Sequence, residues 1–338
     1  MGVDLGGLFV KDEVEFSNLS GQKVAIDTHN MLYQFLSTIR QSDGTPLLNS
    51  AGEVTSHLSG LIYRIVNLVE AGIKPVFVFD GKPPDLKAAT LQERRRVKED
   101  AEKRWGEAKA SGSADAFKYA QSTSRITEEI TRSTKSLLSY MGMPVVDAPS
   151  DGEAQASFMA MKGDVSYVGS QDYDSLLFGS EMLLRNLTVT GKRKLPGKRV
   201  YVDVKPELID LYAGLERLEI TREQLIDMAI LMGTDFNEGI KGIGPKRALK
   251  LIKKHGSIER VLSELDMSID IFSDVRTIFL HPDVSHDYDL RWEGPDEARI
   301  IEFLCVENGF SEERIQKAVS RLKDATDVQG QMTLNRWF

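Results

Sequence analysis

Val76-Phe77-Val78-Phe79-Asp80 holds the chain's most telling apolar run. Its four apolar residues show no polar alternation, which a half-exposed strand requires. The run therefore reads as a parallel strand buried on both faces, with an acid at its end. Upstream, Val24-Ala25-Ile26 repeats the pattern and ends in Asp27. Downstream, Pro144-Val145-Val146 and Val165 to Gly169 read as two more buried strands. Helices are expected from His29 to Arg40, with Leu32, Phe35, Leu36 and Ile39 on one face, from Thr55 to Ala71, and from Gly152 to Lys162. Arg193 to Val204 reads as a hairpin, and from Pro206 onward the pattern is almost wholly helical. The fold class is α/β, with a helical second half.

The chain has 338 residues, 41% of them hydrophobic, enough to bury one large core or two smaller ones. Its single cysteine, Cys305, excludes an intrachain disulfide. Sharing a helix face with Ala298, Ile301 and Leu304, it reads as core filler, and so few cysteines suit the reducing cytosol. The start, MGVDLGGLFV, lacks a basic region, and Gly6 stands where a myristoylation signal wants Ser or Thr. No apolar run is long enough to span a membrane. The expected location is the cytoplasm in a prokaryote, or the nucleus in a eukaryote.

The net charge of −8 and the pI of about 5.4 argue, taken alone, against a nucleic-acid partner. The distribution argues the other way. Bases crowd into Lys87 to Lys109, Arg185 to Arg199 and Lys241 to Lys254, and such strips can meet phosphates on an acidic protein. Leu86 to Lys109 reads as a long charged helix without an apolar stripe, usually a solvated surface. Thr326 to Phe338 reads as a mobile tail. No repeat or low-complexity segment is visible.

Acids recur where ligands bind in open α/β sheets, beyond the carboxyl ends of strands. They are Asp27, Asp80, the pair Asp172 and Asp174 in VGSQDYDS, and Asp151 and Glu153 after the Pro144 strand; Asp235 in LMGTDF follows a helix. Each has a bland alternative. Asp27 and Asp235 suit caps, Ser150 to Glu153 is a capping box, and Asp172 and Asp174 suit a turn. As a set they point to metal, because clustered carboxylates repel unless a cation neutralises them. Oxygen donors select hard ions such as Mg²⁺ or Mn²⁺, and none of the five histidines stands at ligand spacing from another. Two such ions support phosphodiester hydrolysis.

A second signal is GIKGIGPKRA, Gly239 to Ala248. Glycines let backbone approach a phosphate, and Pro245 suits a first helical turn. Lys246, Arg247, Lys250, Lys253 and Lys254 follow. The spacing matches neither a Walker loop nor a dinucleotide fingerprint; it looks like a helix-hairpin-helix that holds a DNA backbone without reading sequence. The alternative is a plain glycine-rich connection. Lys87 and Arg94, seven residues apart, lie near one helix face.

Together these motifs resemble the flap endonuclease family, within the structure-specific 5′ nucleases that share a PIN-like core. The resemblance rests on VAIDTHNMLYQFL, VFVFDGKPPDLK, APSDGEAQA, SQDYDSLLFG and MGTDFNEGIKGIGPKRA, in the family's order over essentially the whole chain. It implies a mostly parallel central sheet flanked by helices, a helical arch and a DNA-binding helix-hairpin-helix. It implies an N-terminal nuclease region (1–98), an arch (about 81–125) and an internal region (116–258) with the hairpin at about 222–256. C-terminal helices (259–325) and a clamp-binding tail (326–338) would follow. Asp27, Asp80, Asp151, Glu153, Asp172, Asp174 and Asp235 correspond to metal-binding acids. Lys87 and Arg94 correspond to the pair on the reacting phosphate, and Tyr33 to an aromatic stacking near the cleaved nucleotide, with helix packing as its other reading. Arg40, Arg64, Gly233, Gly242, Gly244, Lys246 and Arg247 match DNA-binding positions. Gln41 to Thr55, with Leu47 and Leu48, would help hold a one-nucleotide 3′ flap. Two Mg²⁺, replaceable by Mn²⁺, and a monovalent cation at the hairpin are the implied cofactors. One departure stands out: the family usually has Glu where this chain has Asp151.

The tail, Gln331-x-x-Leu334-x-x-Trp337-Phe338, resembles the peptide by which replication proteins dock on the sliding clamp (PCNA). Folding back of Trp337 and Phe338 onto the core is the alternative. The expected protein is a monomeric nuclease that hydrolyses branched DNA at 5′ flaps, with 5′–3′ exonuclease activity, in lagging-strand synthesis and base-excision repair. A PIN-type RNase leaves the helix-hairpin unexplained, and a non-catalytic clamp scaffold leaves the strand-end acids unexplained.

Overall fold

The computed structural model describes residues 2–111, 113, 115–188, 192–194 and 201–334. Nine strands are described: β1 Asp12–Glu13, β2 Lys23–Asp27, β3 Lys74–Phe79, β4 Val145–Asp147, β5 Tyr167–Gly169, β6 Met182–Arg185, β7 Lys192–Lys194, β8 Tyr201–Asp203 and β9 Glu207–Asp210. Seven form one sheet in the order β1-β9-β6-β5-β2-β3-β4. Five consecutive strands, β6-β5-β2-β3-β4, are all parallel, β4 forming one edge, while β9 is antiparallel to both β6 and β1. The sheet is mostly parallel, as the apolar runs predict.

Burial on both faces explains those runs. Val24, Ile26, Phe77 and Phe79 enter one core, while Ala25, Val76 and Val78 enter the other. The first core is capped by α1 (Thr28–Thr38), α2 (Ser56–Glu70) and, across α2, the terminal helix. Next along the chain come α3 (Ala88–Ala110), α4 (Ala116–Gln121) and α5 (Glu128–Tyr140). The opposite face carries α6 (Gly152–Met161), which packs on β2, β3 and β5, and then α7 (Asp174–Leu177). Beyond it lie α8 (Leu211–Leu218), α9 (Arg222–Met232), α10 (Pro245–His255), α11 (Ile258–Leu265) and α12 (Phe272–Leu280). The chain closes with α13 (Glu297–Ile301), a π-helical turn at Glu302–Glu307 and α14 (Glu312–Leu334). Among the described residues no helix is long and apolar enough to cross a membrane.

Three expectations need correction. The chain after Pro206 is not wholly helical: Glu207–Asp210 is a strand whose Ile209 is fully buried, and Asp210 then caps α8 by accepting from the Ala213 amide at 2.9 Å. Helix α14 does not end before Thr326, where the tail is expected to begin, but runs on to Leu334. Nothing there forbids it; adding a residue to a formed helix is easy compared with nucleating one, and no proline intervenes. Gln331 and Leu334 are thus on helical backbone, whereas Trp337 and Phe338 lie outside the described residues. The third concerns Ser150 to Glu153. Helix α6 starts one residue later than a capping box needs, with Asp151 as N-cap, and Glu153 bonds elsewhere. The hairpin expected from Arg193 exists as the antiparallel pair β7–β8; residues 195–200 between them, with their basic charges, lie outside the described residues.

His57 on α2 is 1% exposed; its Nε2 meets the Ser133 hydroxyl at 2.8 Å, and its Nδ1 has no partner. Burial pushes the imidazole down to about 4. The unfolded chain takes up this proton near pH ~6.5, so folding is penalised as pH falls from there towards 4. Denaturation of the protein and of His57→Gln should give curves that diverge over this window, the parent losing up to about 3 kcal/mol more by pH ~4. Parallel curves would contradict the buried neutral imidazole.

Candidate active site

The parallel strands bring the acids together. Asp27 ends β2, Asp80 follows β3, Asp151 caps the helix after β4, and Asp172 and Asp174 follow β5. The chain departs from β2 towards β3 and β4 on one side and β5 and β6 on the other, so the acids stand where the strand order reverses. Asp27 is both cap and cluster member: its Oδ1 accepts from the Asn30 amide at 3.0 Å. Asp80 accepts from the Gly152 amide at 2.8 Å, the positive end of α6, and its own amide donates to His29 Nδ1 at 3.1 Å. Glu153 accepts from the Ser170 and Ser175 hydroxyls at 2.7 and 3.2 Å. Asn30 Nδ2 donates to Asp172 at 2.9 Å, and the Val3 amide donates to Asp174 at 2.8 Å.

Burial and mutual repulsion raise the affinity of Asp27, Asp151, Glu153 and Asp174 for protons. Asp27 lies well above its ordinary value because of burial, then Asp80, with Asp172 and Asp151 adding. Glu153 is raised in the same way by burial, Asp27, Asp174 and Asp172. Asp174 is pushed up to about 7, burial outweighing the Val3 amide, with Asp235, Asp172 and Asp151 adding. The oxygen-only, anion-rich donors fit a hard divalent cation. As placed, no three of these groups form a closed ligand shell. The reason is visible in their partners: Asp151 and Asp235 are turned to cations, and Glu153 to two hydroxyls.

Those cations are Lys87 and Arg94. Lys87 Nζ binds Asp151 and lies 5.2 Å from the centre of the Phe236 ring; Arg94 Nη2 reaches Asp235 at 2.5 Å. Burial alone would lower the Lys87 pKa, but Asp151, Asp80 and Asp235 raise it above its usual value. Asp151 is still raised from its ordinary value, because burial, Asp80 and Asp235 outweigh Lys87. The charged helix is thus not merely solvated. Further along it, Lys98 donates to the Tyr33 hydroxyl at 3.0 Å, Trp105 Nε1 donates to the Asp43 carbonyl at 3.2 Å, and Lys109 pairs with Asp43 at 2.9 Å. Residues 87, 94, 98, 105 and 109 recur at seven and four, which is one helix face. Tyr33 is 40% exposed beneath it.

The other expected positions divide. Arg40 is held by the protein itself, donating to the carbonyls of Leu36 and Gly44 at 2.7 and 2.9 Å and to the Ser124 hydroxyl at 3.0 Å. Half-buried Arg64 has no ion pair among the described residues, and burial lowers its pKa. Gly233 terminates α9. Gly242 sits at φ +85°, where a side chain is strained, whereas nothing crowds the N-cap Gly244. Pro245 opens α10 as expected. Lys246, Arg247 and Lys250 are exposed, but Lys253 and Lys254 face Glu219 and Glu264 at 2.5 and 3.7 Å. Asp227 braces this hairpin, accepting from Arg276 at 2.6 Å and from the Ile258 amide at 3.0 Å. Sequence reasoning missed His29, Asn30, Ser170, Ser175 and the Val3 amide. Nearness to the acids in IDTHN and GSQDYDS pointed to the four side chains, whereas nothing in the sequence pointed to Val3, 171 positions from Asp174.

Comparison with known proteins finds relatives over the whole chain. The XPG N-terminal domain matches residues 8–101 and the XPG I-region matches residues 142–235. Flap endonuclease 1 of Archaeoglobus fulgidus is 57% identical over 338 residues, all of both chains. The solved flap endonuclease-1 from Methanococcus jannaschii superposes with a TM-score of 0.77 at 42% identity, covering 96% of this chain and 98% of that one. The Holliday junction-resolving enzyme GEN1, solved with product DNA and an Mg²⁺ ion, shares the fold at 20% identity and a TM-score of 0.60, covering 92% and 75%.

Gly81 fastens Asp80 to the start of α6. Its amide donates to the Ser150 carbonyl at 2.7 Å, and a Cβ there would stand 2.1 Å from the Ala148 carbonyl oxygen and 2.5 Å from that of Pro149. Gly81→Ala must push two backbones apart and should cost about 1–3 kcal/mol in urea denaturation. An unchanged midpoint would contradict the close approach.

Proposed function

The chain belongs to the flap endonuclease family, structure-specific nucleases that cut 5′ flaps, and we propose which of its residues carry out that hydrolysis. The observation that carries the assignment is the acid cluster at the strand ends, buried at Asp27, Glu153, Asp174 and Asp235, with Lys87 and Arg94 reaching into it. Asp27, Asp80, Asp151, Glu153, Asp172, Asp174 and Asp235 hold two divalent cations, Mg²⁺ or Mn²⁺. When bound, these supply an activated water and neutralise the leaving oxygen. The protein's own part is positioning and charge. Lys87 and Arg94 exchange their carboxylate partners for the scissile phosphate and offset charge that develops on it. Tyr33 stacks on the neighbouring nucleotide. Water oxygen adds to phosphorus and the bond to O3′ breaks, leaving a 5′ phosphate and a 3′ hydroxyl.

Around this centre, the segment 81–125 forms the arch through which the single strand passes. The hairpin of α9 and α10 holds duplex backbone through Gly242, Gly244, Lys246 and Arg247, with a monovalent cation at its turn, and Arg64 contacts a further phosphate. Arg40 acts indirectly, joining Gly44 in the 3′-flap loop to Ser124 at the arch's end. The protein works as a monomer and docks on the sliding clamp through Gln331, Leu334, Trp337 and Phe338.

Chemistry and binding should separate. Asp172→Ala should abolish cleavage yet keep flap affinity. Lys87→Ala should slow single-turnover cleavage by about a hundredfold or more, as loss of a transition-state cation does. Lys250→Ala should instead weaken flap binding and flatten its salt dependence by about one unit of slope. A Lys87→Ala enzyme that lost only affinity would contradict its role.

Removing residues 326–338 should spare cleavage of free flaps and eliminate stimulation by the clamp. A truncated enzyme still stimulated by the clamp would remove the tail from the account.

A further inference from the structure

Two of the proposed metal-binding acids follow β5, Asp172 in a turn with Gln171 and Tyr173 and Asp174 at the start of α7, and that turn is gripped from outside the cluster. Arg185, the last residue of β6, donates from Nε to the Gln171 carbonyl at 3.0 Å and from Nη1 to the Tyr173 hydroxyl at 2.7 Å. Its guanidinium also lies 4.5 Å from the centre of the Tyr173 ring. Tyr173 itself is 6% exposed. Arg185 is in turn held by Glu207 at 3.3 Å, its directly opposed residue on β9. The grip therefore comes from a strand pair of the sheet. It takes hold of the loop on both sides of Asp172, at the residue before it and the residue after it.

The loop needs such a hold. Asp172 and Asp174 repel each other and Glu153. A turn at Gln171 to Tyr173 pushed outward would carry Asp172, and with it the start of α7 that bears Asp174, away from a shared ion. Arg185 suits this work because its planar fork can serve a carbonyl and a hydroxyl at once while stacking on the ring, which a lysine ammonium cannot do. We propose that Arg185, acting through Tyr173 and Gln171, is a positioning residue that sets Asp172 and Asp174 for metal. It does not contact DNA as its basic charge would suggest. The inference rests on the proposed metal role of these acids.

The test uses the full chain and two variants, Arg185→Lys and Tyr173→Phe. Calorimetric titration of Mn²⁺ into the parent without DNA first shows whether the acids bind metal, which tests that role by itself. If they do, Arg185→Lys should weaken Mn²⁺ binding about tenfold or more and raise the half-saturating Mg²⁺ for cleavage similarly, as loss of an outer-shell partner does. Flap affinity measured in Ca²⁺ should stay within about twofold, since no phosphate contact is lost. Tyr173→Phe removes one hydroxyl from an otherwise unchanged ring. It should weaken Mn²⁺ binding by a smaller factor, and it decides the matter if Arg185→Lys lowers the melting temperature enough to leave protein unfolded. Unchanged metal binding in the folded variants overturns the proposal. So does a loss of flap affinity with metal dependence unmoved, which would make Arg185 a DNA contact.

Discussion

Carboxylates taken out of water repel one another, and this protein gathers them at the carboxyl ends of its parallel strands. Like charges about 5 Å apart cost roughly 3 kcal/mol at an effective dielectric constant near 20. Burial adds to that, as the raised proton affinities of Asp27, Glu153 and Asp174 record. Nearly every local arrangement around the site answers this repulsion. The α6 amide of Gly152 faces Asp80, the Asn30 amide faces Asp27, serine hydroxyls face Glu153, and Lys87 and Arg94 face Asp151 and Asp235. A divalent cation would answer it more strongly than any of these, which is the physical ground for the proposed metal role.

Much of this was legible in the sequence because it is a matter of period. A continuous apolar run such as Val76 to Phe79 leaves only a strand covered on both faces, and strands of that kind must be parallel neighbours under helices. Parallel strands share one end, so an acid after each run predicts convergence without any knowledge of distance. The glycines and lysines of Gly239 to Ala248 were equally readable, because Gly242 meets a backbone requirement and Pro245 a helical one.

The remainder depends on contacts distant in sequence. Arg185 binds residues 12 and 14 positions away through a strand that the apolar pattern did not announce, since Met182-Leu183-Leu184 is too short to stand out. Strand β9 was hidden for the same reason, its pairing with β6 supplying what its own four residues do not. Arg40 matches a DNA-binding position by resemblance alone, and two carbonyls and a hydroxyl occupy it. The seven-and-four spacing on α3 carried real information, but a helix with no apolar stripe gives no sign of which face is turned inward.

If the repulsion among these acids organises the site, neutralising one of them must stabilise the fold while destroying its use of metal. Asp27→Asn is the cleanest case, because an asparagine oxygen can still accept the Asn30 amide and keep the helix cap. Urea denaturation of the parent and this variant, in metal-free buffer and in saturating Mg²⁺, tests the claim directly. The account predicts that Asp27→Asn is about 1–3 kcal/mol more stable than the parent without metal. It also predicts that Mg²⁺ stabilises the parent far more than the variant. A less stable variant together with a parent indifferent to Mg²⁺ would contradict it.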